Sequence, residues 1–487
     1  MNELGIGLVY FQGFENFLAS HSSLIDVVEI EPQTFWYDKN DECDAFKYDA
    51  DVMSFLGSYD RPKLFHGVGY PIGGTCIPPA QHFNTLRQQV NELKPQWISE
   101  HLSFNMFNDA GREINSGFLL PPLQTAEGVK IAAANIRHYQ DEMGLPFAFE
   151  TGANYLKPRK NEIPDGLFVR KVAEEADCHI LLDLHNILVN QRNGRQSIRE
   201  FLKCLPYERV IELHVGGGIY YKDYYLDAHS GPSDAELFSI LEEVAGKLPN
   251  LKALMFEIDP ESFTKVPQAA IRNQLNTMRQ IWDKRGYYHR KRKMKPANCP
   301  EQCVNEAINV SDWEYTLGKM VLGKVVDNAL SKELIHDKGI AIIKDMVFNF
   351  RGSVLISTLK FSTRLLRLSV GEALFNTYVN EFFDTAAPEL LPIVAAEQFS
   401  AYIKSNQIAV PYLGKVLEYE LASIHTAIDK QKRTVNFDFD PAPLFAALQC
   451  ARMPSEPLVA KALNLQVVFE NPETTAGTFT FNPVVHN

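Results

Sequence analysis

Along the first half of the chain, short runs rich in β-branched and aromatic residues alternate with stretches of helical periodicity. Eight runs read as strands: Gly5–Val9, Asp26–Ile30, Pro62–His66, Gln96–His101, Pro146–Glu150, His179–Leu184, Arg209–His214 and Lys252–Glu257. Between them lie amphipathic segments such as Asp234–Val244, with Leu237, Ile240, Leu241 and Val244 on one helical face. Strand-then-helix alternation implies a parallel sheet, and eight units of this length predict an α/β fold closed as a TIM-type (β/α)8 barrel. Only the first connection, Phe11–Ile25, is short and weakly helical.

The pattern changes at Lys284–Pro296, which packs seven Lys or Arg residues into thirteen positions. A run of that kind cannot be buried and reads as a solvated linker, with a nucleic-acid patch as the sharper alternative. The expected organisation is a metal-binding catalytic barrel over 1–284, a basic linker over 285–310 and a mainly α-helical second domain over 311–487. In that domain Ser369–Phe383 and Tyr412–Ile424 carry helical periodicity, and strand-like runs at Gln466–Glu470 and Thr478–Phe481 supply a small β element.

Composition narrows the functional classes. The 487 residues are 45% hydrophobic and 22% charged, which is ordinary for a globular protein of two or three domains. A formal charge of −12 argues against a general nucleic-acid partner, since phosphate contacts need a basic surface. No apolar run is long enough to span a membrane, and Met1–Gly7 shows no secretory pattern. Seven scattered cysteines, an odd number, fit a reducing cytoplasm rather than a disulfide scaffold.

The informative chemistry lies at the ends of the expected strands. Strand three ends in His66-Gly67, strand four in Glu100-His101 and strand five in Phe149-Glu150. Strand six runs into Asp183-Leu184-His185-Asn186, strand seven into Glu212-Leu213-His214 and strand eight into Phe256-Glu257, while Asp227-Ala228-His229 follows in a loop. A parallel barrel gathers its strand ends at one face, so these side chains meet in one small volume. Singly, each has a bland reading: a histidine is more often a hydrogen-bonded loop or core residue, and an aspartate can cap the next helix. Together they do not, because converging buried carboxylates need a countercharge. Histidine with carboxylate suits iron, manganese or zinc, and the number of donors points to more than one ion.

No cysteine stands beside these groups, which argues against a thiolate-rich centre in the barrel; Cys299 and Cys303 form a lone pair in the linker and read as free thiols. Gly216-Gly217-Gly218 offers a phosphate-binding alternative, but without an adjacent Lys or Arg it reads better as a tight turn.

The strings His66-Gly67-Val68-Gly69, Ser99-Glu100-His101-Leu102, Leu181-Leu182-Asp183, Glu212-Leu213-His214 and Asp227-Ala228-His229 resemble the multinuclear non-heme iron-dependent oxidative enzymes, the family of the catalytic subunit of methanobactin biosynthesis. The resemblance runs from about Gly5 to Glu257. It implies a TIM-type barrel holding two or three irons of mixed Fe2+/Fe3+ state, with O2 as co-substrate. The implied activity is oxidative modification of cysteine, or another residue, in a ribosomally synthesised peptide. Carried over position by position, the iron ligands are His66, His101, Glu150, Asp183, Asn186, His214, Asp227, His229 and Glu257, while Tyr155 and His185 are the catalytic candidates beside them.

Two positions depart from the family pattern: Glu150-Thr151 replaces Glu-Asn, and Asp183-Leu184-His185-Asn186 replaces Asp-Val-Asn-Asn. Gly371–Phe375, Ala396–Phe399 and Leu417–Glu420 resemble the helical partner proteins that present the peptide, which implies that a separate partner subunit is replaced by the C-terminal domain. Simple packed helices are the other reading of those strings. For the barrel itself, a non-redox divalent-metal isomerase or phosphodiester hydrolase is the alternative.

Overall fold

Eight parallel strands close on one another in sequential order: β1 (Gly5–Tyr10), β2 (Val27–Ile30), β3 (Lys63–Gly67), β4 (Ile98–His101), β5 (Phe147–Glu150), β6 (His179–Asp183), β7 (Val210–Val215) and β8 (Ala253–Phe256), with β8 returning to β1. This is the expected (β/α)8 barrel. The coordinates are a computed structural model describing residues 1–40, 44–289, 308–429, 431–455 and 457–467.

Period-two alternation explains why these segments are strands and which way they face. Phe65, Phe147, Phe149, Ile180, Leu182, Leu254 and Phe256 point outward into the core shared with the surrounding helices. Their neighbours Leu64, Ala148, Leu181, Ala253 and Met255 join Val27, Trp97 and Ile211 in a separate apolar cluster. The residue two places further along a strand keeps the same inward side. Thus Leu64 leads to His66, Ala148 to Glu150, Leu181 to Asp183 and Met255 to Glu257. The weak first connection folds as a six-residue helix, Glu15–Ser20, and a single 3-10 turn, Ser22–Leu24.

The chain forms two compact units that divide between Met346 and Val347, later than the expected linker. Two local facts account for the difference. The basic run does not begin as a loop, because the helix Gln268–His289 continues through Lys284 and Arg285, with Arg285 stacked on Trp282 and paired to Glu3. Beyond the break in the described residues, the helix Val310–Val321 packs on the antiparallel hairpin Phe104–Asp109/Arg112–Leu120. There Trp313 Nε1 donates to the Pro121 carbonyl at 2.9 Å, and Lys319 pairs with Asp109 at 2.7 Å. Cys299, Cys303, Thr478–Phe481 and residues 468–470 of the expected strand lie outside the described residues.

The second unit is mainly helical, with Lys360–Val370, Glu372–Thr385, Pro392–Ser405 and Leu413–Asp429 as its longer helices. The helix expected at Ser369–Phe383 straddles a joint: Gly371 at φ +80° ends one helix and starts the next, a backbone state that disfavours other residues. The β element is a hairpin of Arg433–Phe439 with Ala460–Val467. Its first strand alternates cleanly, with Val435, Phe437 and Phe439 buried in the unit's core.

Candidate metal centre

The inward side chains at the strand ends converge. Glu150, at the end of β5, places Oε2 3.2 Å from His66 Nε2 of β3 and 2.8 Å from His101 Nε2 of β4. Glu150 also closes a second cluster with Asp183, His214 and Glu257, in which His214 Nδ1 lies 3.0 Å from Glu257 Oε1. On the loop after β7, His229 Nε2 is 3.1 Å from both Asp227 Oδ1 and Glu257 Oε2. All nine expected ligand residues therefore occupy one contiguous region, with Asn186 joined to it through Nδ2, which donates to Glu150 Oε1 at 3.1 Å.

Local structure explains several placements. Asp183 ends β6 and caps the helix Leu184–Arg192, its Oδ1 accepting from the backbone N–H of His185 at 2.6 Å and of Asn186 at 3.1 Å. The cap accounts for one oxygen only; Oδ2 is buried without a hydrogen-bond partner. His229 sits at φ +40°, a left-handed state costly for a non-glycine residue, which the loop imposes while aiming the ring at Glu257. The glycines before that loop allow close packing, since a Cβ on Gly217 would lie 2.5 Å from the Gly231 carbonyl oxygen and one on Gly218 2.4 Å from that of Leu226. This is the tight-turn reading of the Gly216–Gly218 run.

Hydrogen bonding does not satisfy the site. Glu150 Oε2, Asp183 Oδ2, Asn186 Oδ1, Asp227 Oδ1, His229 Nε2 and both ring nitrogens of His214 are buried without an aligned hydrogen bond, despite the short separations. Buried polar atoms in folded proteins are nearly always paired, so a concentration of unpaired oxygens and imidazole nitrogens at one place calls for another partner. The donor set, imidazole nitrogen with carboxylate and amide oxygen and no thiolate, fits first-row divalent or trivalent cations.

The electrostatics agree. Burial opposes charging of His101, His214 and His229, yet the carboxylates beside them hold all three well above the ordinary histidine value: Glu150 for His101, Glu29 and Glu257 for His214, Asp227 and Glu257 for His229. Burial, with the charges of Glu150, Glu257 and Asp227, pushes Asp183 far up. Without metal, protons must supply the positive charge that the acids require.

The two catalytic candidates differ in kind. Tyr155 is buried, and its Oη accepts the Asp227 backbone N–H at 3.0 Å, so its contact with the centre runs through that loop. His185 is buried with both ring nitrogens unpartnered, Nε2 lying 3.6 Å from Asp227 Oδ1, and burial lowers its pKa. Several acids near the centre were not among the expected ligands, among them Glu100, whose Oε1 lies 3.7 Å from His101 Nδ1. Glu29 and Glu212 form a further cluster with His214. Glu31, just beyond β2, has its carboxyl pushed up to about 7 by burial, against the pull of His66. The signal was available: Glu29-Ile30-Glu31 ends the second strand as visibly as the later acids end theirs.

The family model of the RiPP precursor modification enzyme MbnB/TglH/ChrH matches residues 3–282. The chain belongs to this family. A UPF0276 protein of Vibrio vulnificus (strain CMCP6) is 30% identical over 182 residues, 37% of this chain and 61% of the relative, so the chain covers less than two thirds of that protein's length. A UPF0276 protein of Acinetobacter baylyi is 30% identical over 272 residues, 53% of this chain and 87% of the relative. Among solved structures, 3-keto-D-glucoside 4-epimerase from E. coli aligns at TM-score 0.35 and 15% identity, over 56% of this chain and 98% of that one. D-allulose 3-epimerase from Methylomonas sp. aligns at 0.38 and 12%, over 58% and 99%. Scores this low say nothing of the chemistry. No described helix is long and apolar enough to cross a membrane.

Proposed function

We propose that the barrel is an iron- and O2-dependent oxidoreductase that modifies cysteine, or another residue, in a ribosomally made precursor peptide. The observation that carries this reading is the set of buried, unpartnered donor atoms gathered at the strand ends of a barrel of this family. His66, His101 and Glu150 would hold one iron; Glu150, Asp183, His214 and Glu257 a second; Asn186, Asp227 and His229 a third. Bound there, iron of mixed Fe2+/Fe3+ state supplies the electron transfers by which O2 oxidises the peptide.

The chain's own residues do the rest. Glu150 and Glu257 each face more than one histidine, so they tie the parts of the centre together. His66, Asp183 and His214 are fully enclosed, whereas His101, Asp227 and His229 retain 16%, 19% and 27% side-chain exposure, so the peptide approaches from their side. Tyr155 fixes the Asp227 backbone. His185, kept neutral by burial, offers Nε2 as a proton acceptor or an additional ligand next to Asp227. Residues 347–487 serve peptide recognition in place of a separate subunit, and fusion raises the effective concentration of the bound peptide.

The test is anaerobic purification of the full chain with metal analysis, then co-expression with short cysteine-containing peptides and mass spectrometry. The expected result is more than one iron per chain and an O2-dependent mass change that His214→Ala abolishes. Full activity with zinc or magnesium in the absence of O2 would instead establish the non-redox isomerase or hydrolase reading.

A further inference from the structure

His214 is gripped from two sides. Its Nδ1 faces Glu257 at 3.0 Å, while its Nε2 lies 2.8 Å from Glu29 Oε2 and 3.7 Å from Glu212 Oε1. Glu29 and Glu212 sit one layer deeper in the barrel, in register with Leu64 of β3 and with Leu181 and Ala253 of β6 and β8. All three residues are wholly buried, and neither Glu29 oxygen has a hydrogen-bond partner. Glu212 is anchored differently, its Oε2 accepting Trp97 Nε1–H at 2.8 Å.

We infer that Glu29 is a positioning residue for His214: its Oε2, 2.8 Å from Nε2 though not aligned with it as a hydrogen bond in this structure, is the acceptor that the Nε2–H would meet when Nδ1 gives its lone pair to a cation among Glu150, Asp183 and Glu257. A neutral imidazole has one lone pair and one N–H, and the nitrogen that carries the proton is set by what the other side of the ring meets. Here the deep side meets a Glu29 carboxyl group whose oxygens have no other hydrogen-bond partner. Carboxylates behind a ligand histidine fix its orientation and raise its donor strength. A cation lodged among Glu29, Glu212 and Nε2 is the competing occupant. It would strip the second ring proton from His214, and Glu212 already commits one oxygen to Trp97. The inference rests on His214 being a metal ligand, as proposed above.

The experiment is anaerobic Co2+ titration of the full chain against a competing chelator, with ion number at saturation, for wild type, Glu29→Leu and Glu29→Gln. Glu29→Leu is expected to weaken binding by roughly 10–100-fold at unchanged ion number. Glu29→Gln keeps an accepting oxygen and recovers most of that, remaining several-fold weaker than wild type. Wild-type affinity in Glu29→Leu overturns the inference, and loss of a whole ion overturns it too by making Glu29 a ligand of a separate cation. If Glu29→Leu does not fold, Glu29→Gln decides by the same measurement, wild-type affinity counting against. A wild-type chain that binds no Co2+ or iron sinks the metal reading and this inference together, whereas metal binding indifferent to position 29 sinks this inference alone.

Discussion

A buried carboxylate in the second unit makes a useful contrast with those in the barrel. Glu420 is almost completely enclosed, and its two oxygens receive the backbone N–H groups of Phe361 and Ser362 at 2.6 and 2.8 Å and the Ser362 hydroxyl at 2.5 Å. Its work is to secure the start of the helix Lys360–Val370, and every donor is in place. Asp183 begins a helix in the same way, yet its second oxygen is orphaned, and Glu29 has no hydrogen bond at all. The same residue class, equally dry, is satisfied in one region and left wanting in the other. Burial alone therefore does not mark a functional acid; burial with missing partners does.

The sharpest way to break the contrast is Asp183→Asn. The amide oxygen keeps the helix cap, so the melting temperature should move little, but the charge at the centre is lost. Peptide modification should fall by at least about 100-fold with reduced metal content, read by mass spectrometry and metal analysis. Retained activity would make Asp183 a cap and nothing more. Glu420→Ala should do the reverse: it leaves buried N–H groups unpaired and destabilises the second unit by roughly 2–3 kcal/mol in denaturant unfolding, with metal content unchanged.

The pH dependence of that unit sharpens the point. Burial pushes the Glu420 carboxyl up to about 7, against the pull of its hydroxyl and N–H donors, from 4.5 when exposed. The folded state then holds a proton that the unfolded state has released. Stability from this group should accordingly fall as pH rises from 4.5 through 7, by at most about 3 kcal/mol, and Glu420→Gln should flatten that slope in the unit's unfolding curve. The smallest expected effect is Tyr155→Phe, which removes the acceptor for the Asp227 N–H. About 1 kcal/mol of stability and less than a tenfold loss of modification rate should follow, in melting and turnover measurements. A far larger loss of rate would give the hydroxyl a direct part in the chemistry.

Much of the barrel was legible because it is written locally. Strand alternation and strand ends recur eight times, and the inward period carries a reader from Leu64 to His66 or from Leu181 to Asp183 without coordinates. What escaped was non-local. That Glu314 of the helix Val310–Val321 meets the Thr75 backbone N–H at 2.7 Å depends on residues far apart in sequence, and no periodicity encodes it. The hairpin strand Arg433–Phe439 carries its own alternation, with Val435, Phe437 and Phe439 inward, but it is a single short run among helical signals. Glu29 stands in a string as acidic as the later strand ends, but its particular partner is non-local: the histidine across the barrel, 2.8 Å away.

Asp183 also turns the folded chain into its own gauge of occupancy. Because one carboxylate both starts the helix Leu184–Arg192 and presents an oxygen to the centre, anything gripping that oxygen tightens the first turn. Amide protons there should then exchange with solvent more slowly, so isotope uptake along those nine residues would register a filled centre even where turnover cannot be assayed.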